Sequence, residues 1–269
     1  MTYFIECLLE EVKDIQKILD EPMPMQITPE QERDYVAAEE CYICEMPLGP
    51  DRVRDHCHLT GQYRGAAHNR CNLQLQSRRG VGGNALQIPV IFHNLRGYDA
   101  NHIMKVIGNY ANDCKVSCIA NNMEKYITFS LGNLKFIDSL NFMNASLDTL
   151  VQNLEKKNDG GENFTHLNQH FTKEEELILL KRKGVFPYTY LEGPHVFEEK
   201  HLPPQEAFFN DLQQKSISEE DYRHAQKVWK TFNMRDLGEY HDLYMKTDVL
   251  LLADVYLKIS DVSVFKHID

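Results

Sequence analysis

Residues 41–72 read CYICEMPLGPDRVRDHCHLTGQYRGAAHNRCN, and the spacing of cysteine and histidine within them decides how the rest of the chain is read. The stretch opens with Cys41-x2-Cys44 and closes with His68-x2-Cys71. Two close-spaced pairs of soft or borderline donors, joined by a segment able to fold back on itself, meet the demand of a tetrahedral Zn²⁺ site. Cys41, Cys44, His68 and Cys71 are therefore assigned to a structural zinc; free thiols beside a surface histidine are the alternative. A zinc knuckle needs nothing more, yet the loop also carries Asp55, His56 and His58, and Asn72 follows the last ligand.

Segments 53–58 and 62–64 flank Thr60-Gly61 and read as a β-hairpin, while 68–76 reads as the start of a helix. Zinc would tie the approach of the hairpin to the helix, bringing Asn72 close to Asp55. A carboxylate and a carboxamide together suit a hard cation such as Mg²⁺ or Mn²⁺, which prefers oxygen. His56, with an ordinary pKa of about 6.5, is suited to take a proton from water. The chemistry these groups fit is phosphodiester hydrolysis. A zinc module that binds DNA without cutting it uses the same residue types. Strand alternation points Cys57 away from His56 and His58 and so out of the site, and His58 receives no fixed role.

At these positions the sequence resembles the His-Me finger endonucleases of the endonuclease VII type. That resemblance implies a zinc-bound ββα-metal module, with His56 as general base and Asp55 and Asn72 as ligands of the catalytic cation. His68 stands where a cysteine is usual, a change zinc tolerates.

With 269 residues, 42% hydrophobic and 26% charged, the chain is long enough for a substantial core. Seven cysteines, an odd number with four given to zinc, point to an intracellular, reducing setting rather than a disulfide scaffold. No run of apolar residues reaches membrane-spanning length, so no membrane partner is expected. The net charge of −11 is unevenly placed. Residues 1–40 hold eleven acids and three bases, whereas 41–80 hold three acids and six arginines, among them Arg54 and Arg64. Those two are candidate phosphate contacts, and DNA is the candidate partner.

Along the chain, Phe4, Leu8, Val12, Ile15 and Leu19 recur at helical spacing until Pro22 and Pro24 intervene. Thr28-Pro29-Glu30-Gln31 carries the signs of a capped second helix. Residues 78–84 read as a linker, and the loops expected later are 159–161 and 187–204. Strands are expected in LQIPVIFHN and at 116–119, 126–131 and 134–137, the last three as an antiparallel meander. Helices are expected at 99–107, at 145–155, at 173–182 behind a Thr172/Glu175 box, at 219–231 behind Ser218/Asp221, and over 239–258. This gives an acidic helical segment 1–40, a zinc module 41–80 and a third region 85–260.

Three weaker motifs lie in that third region. Phe92-His93-Asn94-Leu95-Arg96-Gly97-Tyr98-Asp99 puts an acid at a strand-to-helix junction, Ser146-Leu147-x2-Leu150 opens a helix, and Tyr244-x3-Asp248 shares one helix face. Each also fits a cap or a surface pair. In this order they resemble the proofreading exonuclease region of family B DNA polymerases, in particular the protein-primed kind of Maverick/Polinton-type elements and related viruses. The resemblance implies an α/β fold, a partial RNase H-like (DEDDy exonuclease) mixed sheet with helices, beside the zinc module. It further implies that Asp99 and Asp248 hold cations, that Tyr244 orients water, and that Asn94, Ser146 and Leu147 grip a single-stranded 3′ end. The implied partners are DNA ends or branched duplex and the remainder of the polymerase, at a nuclear or viral replication site. The Asp-x-Glu motif of that exonuclease occurs nowhere in the chain, and the palm motifs are absent. A crippled exonuclease without polymerase activity is therefore expected, because two dications about 3.5–4 Å apart need several carboxylates to coexist.

Overall fold

A computed structural model describes residues 1–78, 87–97, 99–122, 125–156, 163–211 and 214–261. The chain divides into two units, Met1–Phe142 and Met143–Ile268. The expected linker beyond Arg78, the 159–161 loop and the segment after Asp261 lie outside the described residues.

In the first unit, α1 (Thr2–Asp20) stops just before the prolines, and α2 (Pro29–Ala37) begins behind Thr28. Its capping box closes as the sequence predicts: the Thr28 hydroxyl accepts from the Gln31 N–H, and the Gln31 carboxamide accepts from the Thr28 N–H at 2.9 Å. Strands β1 (Arg52–His56) and β2 (Tyr63–His68) form an antiparallel hairpin, and α3 (Asn69–Arg78) follows directly and packs on both. These three elements are the ββα arrangement read from the sequence.

A second sheet has the order β3-β6-β5-β4, built from β3 (Ile88–Phe92), β4 (Val116–Asn122), β5 (Lys125–Leu131) and β6 (Leu134–Asp138). The last three form the antiparallel meander, and β3 joins β6 in parallel after α4 (Asp99–Ile107) carries the chain across. β6 alternates Leu134 and Phe136 inward with Lys135 outward. Its inward side chains meet Ile103 and Ile107 of α4 and Ile5 of α1 in one core. Phe136 is completely buried, stacked on Phe129 at 4.7 Å between ring centroids. Burying a side chain of this size contributes about 1.5–3 kcal/mol.

The described residues of the second unit form helices and connecting loops, with one isolated bridge between Asn210 and Lys215. They form α5 (Leu147–Lys156), α6 (Thr165–His170), α7 (Glu174–Leu180), α8 (Glu219–Thr231) and α9 (Leu237–Asp261). α9 serves two apolar clusters. Tyr240 and Tyr244 face Phe186, Ala225 and Val228, while Leu250, Leu251 and Val255 face Leu147, Val151 and Leu167. Two local expectations are corrected. α7 starts one residue later than the Thr172 box requires, behind Lys173 and without a side-chain cap. α6 was not expected, and its capping group comes from far along the chain: buried Asp254 accepts from the N–H groups of His166 at 2.7 Å and Leu167 at 3.1 Å. No helix among the described residues is long and apolar enough to cross a membrane.

Candidate metal centre and nuclease site

The zinc-type cluster is assembled by two turns. Cys41 to Cys44 forms a knuckle closed by the Glu45 N–H on the Cys41 carbonyl at 2.8 Å and the Cys41 N–H on Met46 at 2.9 Å. Glu45 takes φ 58° to make that turn. His68 ends β2 and Cys71 lies in the first turn of α3. The donor atoms of Cys41, Cys44, His68 and Cys71 all lie within 4.8 Å of one another. Sulfurs at about 2.3 Å from a tetrahedral ion stand roughly 3.8 Å apart, so the cluster has the right size. His68 turns Nδ1 toward the Sγ atoms of Cys44 at 3.5 Å and Cys71 at 3.9 Å, and its Nε2 donates to the Pro47 carbonyl at 2.9 Å. That outer hydrogen bond fixes the ring.

Crowding shifts three of these groups, and only Cys41 moves toward the deprotonated form a metal takes. Burial pushes the Cys41 thiol up, but N–H groups of His68, Cys44 and Ile43 outweigh it and bring the thiol down to about 6. The Pro47 carbonyl, helped by the sulfurs of Cys44 and Cys41, raises His68 to about 9. Burial followed by the neighbouring Cys44 raises Cys71 to about 11.

One step along the hairpin lie the remaining polar groups. Arg52 pairs with His68 at the zinc end, and a bulge between Asp55 and His56 shifts the register before His56 meets Tyr63. The bulge leaves Asp55 inward and 1% exposed. Its Oδ1 accepts from Arg64 Nη2 at 2.5 Å, and its Oδ2 accepts from the Tyr42 hydroxyl. Arg64 Nη2 also donates to the His56 carbonyl at 3.0 Å, while its Nε is buried without a hydrogen-bond partner. His56 and His58 stack at 4.8 Å between centroids. On α3, next to the ligand Cys71, the Oδ1 of Asn72 is buried and has no hydrogen-bond partner. An orphaned buried carbonyl oxygen costs about 1–3 kcal/mol unless something completes it. A hard cation is a fitting completion for the Asn72 oxygen, whereas both Asp55 oxygens are already engaged.

The two arginines assigned to phosphate already have acidic partners. Arg54 forks onto Glu32 of α2, with Nε 3.0 Å from Oε2, and lies 3.9 Å over the Tyr35 ring. Arg64 pairs with Asp55. Both tie the module together in this structure. Sequence reasoning also missed the brace behind the hairpin turn. Met23 N–H donates to His58 at 2.7 Å and Gln26 N–H to Gly61 at 2.6 Å. Gly61 sits at φ +74°, where a Cβ would collide with the Pro24 carbonyl oxygen. The Thr60-Gly61 turn was legible, but the chain that docks on it was not.

The exonuclease-type residues fall in separate units. Asn94, at φ 70°, donates its N–H to Asp138 Oδ1 at 2.9 Å, and the same buried carboxylate collects the N–H groups of Arg96 and Leu140. Asp138 thereby binds the end of β6 to the loop that leads from β3 to Asp99, a role the sequence reading overlooked. His93 Nδ1 lies 2.9 Å from Ser139 Oγ at the same strand ends. The Ser-Leu-x2-apolar pattern of Ser146 also occurs at Ser139-Leu140, and that copy is the one beside Asn94. Ser146 instead caps α5, accepting from the Thr149 N–H at 3.2 Å, and Leu147 is buried in the core of the second unit. In that unit, Tyr244 and Asp248 do share a face of α9. The Tyr188 hydroxyl donates to the Tyr244 hydroxyl at 3.0 Å, and Lys183 Nζ lies 3.2 Å from Asp248 Oδ2. Burial, then the Asp248 charge, pushes the Tyr244 phenol well above its ordinary range. Asp248 Oδ1 is buried and without a partner.

Residues 21–83 match the family described as recombination endonuclease VII, a span that takes in the brace, α2, the four thiol and imidazole ligands, Asp55, His56 and Asn72. No curated protein and no solved structure matches the chain.

Proposed function

We propose that the chain cleaves DNA through its endonuclease VII-like module, residues 21–83. The carrying observation is the convergence of Cys41, Cys44, His68 and Cys71 on one point, inside the span that matches this family and beside Asn72 with its orphaned oxygen. A zinc held by these four residues would be structural, tying α3 to the knuckle. His56, half-buried at the hairpin end, takes the proton from an attacking water, and His58 stacked on it limits how far the ring can turn. Asp55 and Asn72 would hold a Mg²⁺ or Mn²⁺ ion, which would supply charge stabilisation to the phosphodiester and its leaving 3′-oxygen. Branched or supercoiled DNA with Mg²⁺ is the substrate to try first, comparing the chain with its His56→Ala variant. Cutting that His56→Ala leaves unchanged contradicts the reading.

A second reading concerns the rest of the chain. We infer kinship with the family B DNA polymerases of mobile elements or viruses, with a partial RNase H-like exonuclease region over 85–260. What favours it is Asp99 entering α4 just beyond the parallel strand β3, together with the unpartnered Asp248 oxygen beside Tyr244. Asn94 with Ser139 is then the better-placed grip for a 3′ end than Ser146 and Leu147. Without an Asp-x-Glu strand, exonuclease chemistry in this chain lacks half its carboxylates. In that reading the working setting is intracellular and reducing, at a nuclear or viral replication site. If the finger binds DNA salt-sensitively without metal-dependent cutting, the module is a binding or assembly piece instead.

A further inference from the structure

We infer that Arg64 is a built-in counter-ion that keeps Asp55 closed to a hard cation, and that a DNA phosphate opens the carboxylate by drawing Arg64 away. The inference rests on the nuclease reading of this site. Both Asp55 oxygens are engaged, Oδ1 by Arg64 and Oδ2 by Tyr42, and the carboxylate is 1% exposed. A dication and a guanidinium cannot share Oδ1, because both carry positive charge at contact distance in a poorly solvated spot. Asn72 Oδ1 stands without a partner, so of the two residues proposed to hold the cation one is open and the other blocked.

Arg64 is placed to leave. Its side chain is 21% exposed, its Nε finds no acceptor, and only one of its three nitrogens is engaged by Asp55 and the His56 carbonyl. Arg54, by contrast, is held at both ends of its fork by Glu32 and covers the Tyr35 ring, so it has nothing to gain by moving. A backbone phosphate offers Arg64 the bidentate partner that Asp55 does not supply. Once Arg64 turns to phosphate, Asp55 Oδ1 regains a free lone pair and the Asp55/Asn72 pair becomes a cation site. Linkage makes this reciprocal: DNA raises cation affinity by the factor by which the cation raises DNA affinity. The module would thus load its cation chiefly on DNA.

The experiment titrates Mn²⁺ into the zinc-loaded full chain and follows the bound ion by electron paramagnetic resonance. Without DNA, Arg64→Gln should bind Mn²⁺ at least roughly tenfold tighter than the parent, and Arg64→Lys close to the parent. Tyr42→Phe, which frees Oδ2 and keeps the ring, should tighten binding by a smaller factor. In a His56→Ala background, a short branched duplex should tighten Mn²⁺ binding when Arg64 is present and have little effect in the Arg64→Gln double variant. Weaker Mn²⁺ binding by zinc-retaining Arg64→Gln would make Arg64 a positioning residue for a metal carboxylate and overturn the inference. If Arg64→Gln loses its zinc, Tyr42→Phe decides, and unchanged or weaker binding there also overturns it. Failure of the nuclease reading would show separately, as absent cutting while the DNA-free Mn²⁺ affinities still shift.

Discussion

His68 and Pro47 are joined by a hydrogen bond of 2.9 Å from the imidazole Nε2 to the carbonyl oxygen, and that bond aims Nδ1 at three thiols. The arrangement selects one tautomer and one donor atom for the metal. His68→Cys should retain one zinc per chain, since thiolate replaces imidazole readily, whereas His68→Ala and Cys41→Ser should lose it. Metal content by mass spectrometry of the native protein reads this directly. A chelator should then lower the stability of the hairpin and α3 ahead of the second sheet, visible by hydrogen exchange.

The hairpin turn depends on a residue with no side chain. Gly61→Ala combines a left-handed backbone with a collision at Pro24, so it should cost about 1–3 kcal/mol and release the 23–26 brace. Gly65 is constrained by space as well: a Cβ there would sit 2.7 Å from the Tyr42 ring, whose hydroxyl serves Asp55. Gly65→Ala should therefore disturb Asp55 while zinc stays bound. Denaturant melts with zinc quantification separate the two outcomes.

In the core of the second sheet, Phe136→Ala should destabilise the first unit by about 3–5 kcal/mol, because the ring is wholly enclosed against Phe129. An effect below about 1 kcal/mol in urea unfolding would show that this sheet is not the packed core described.

His224 supplies a pH dependence. Burial first, then the Arg182 charge, depresses its pKa to about 4, from an ordinary value near 6.5. The folded state keeps the ring neutral while the unfolded chain takes up a proton, so stability is lost as pH falls from about 6.5 toward 4. Allowing for partial solvent screening, the loss is on the order of 1–2 kcal/mol. His224→Gln should flatten that limb of the stability profile, and an unchanged limb would contradict the assignment.

Digestion of a single-stranded 3′ end should be absent or very weak, and Asp248→Ala should not alter it. The chain has no Asp-x-Glu motif, and a two-cation site needs those carboxylates. Robust digestion abolished by Asp248→Ala would restore a working exonuclease.

Much of the fold was legible where local signals agreed with packing. Thr28 and Ser218 cap the helices their spacing announced, α4 spans the expected residues, and the meander strands pair antiparallel as read. What escaped was set at long range. α6 is capped by Asp254, 88 residues from His166, and no window of sequence shows that pairing. Asp138 reads as the end of a strand, and only the fold reveals it gathering the backbone of the loop after β3. At the site, the spacing was sufficient to name the four cysteine and histidine donors that cluster. The partners of Arg54 and Arg64 were not readable, because Glu32 lies on another element and Asp55 becomes a neighbour only through the hairpin's register.

The central claim, that a zinc-pinned finger brings His56 to bear on a DNA phosphodiester, is tested most directly by cleavage of a branched duplex. Zinc-loaded protein with Mg²⁺ should cut it, and His56→Ala with equal zinc content should lose at least roughly a hundredfold in rate, the contribution of a positioned base. Equal cutting by the two proteins, or none by either with zinc bound, would contradict the account.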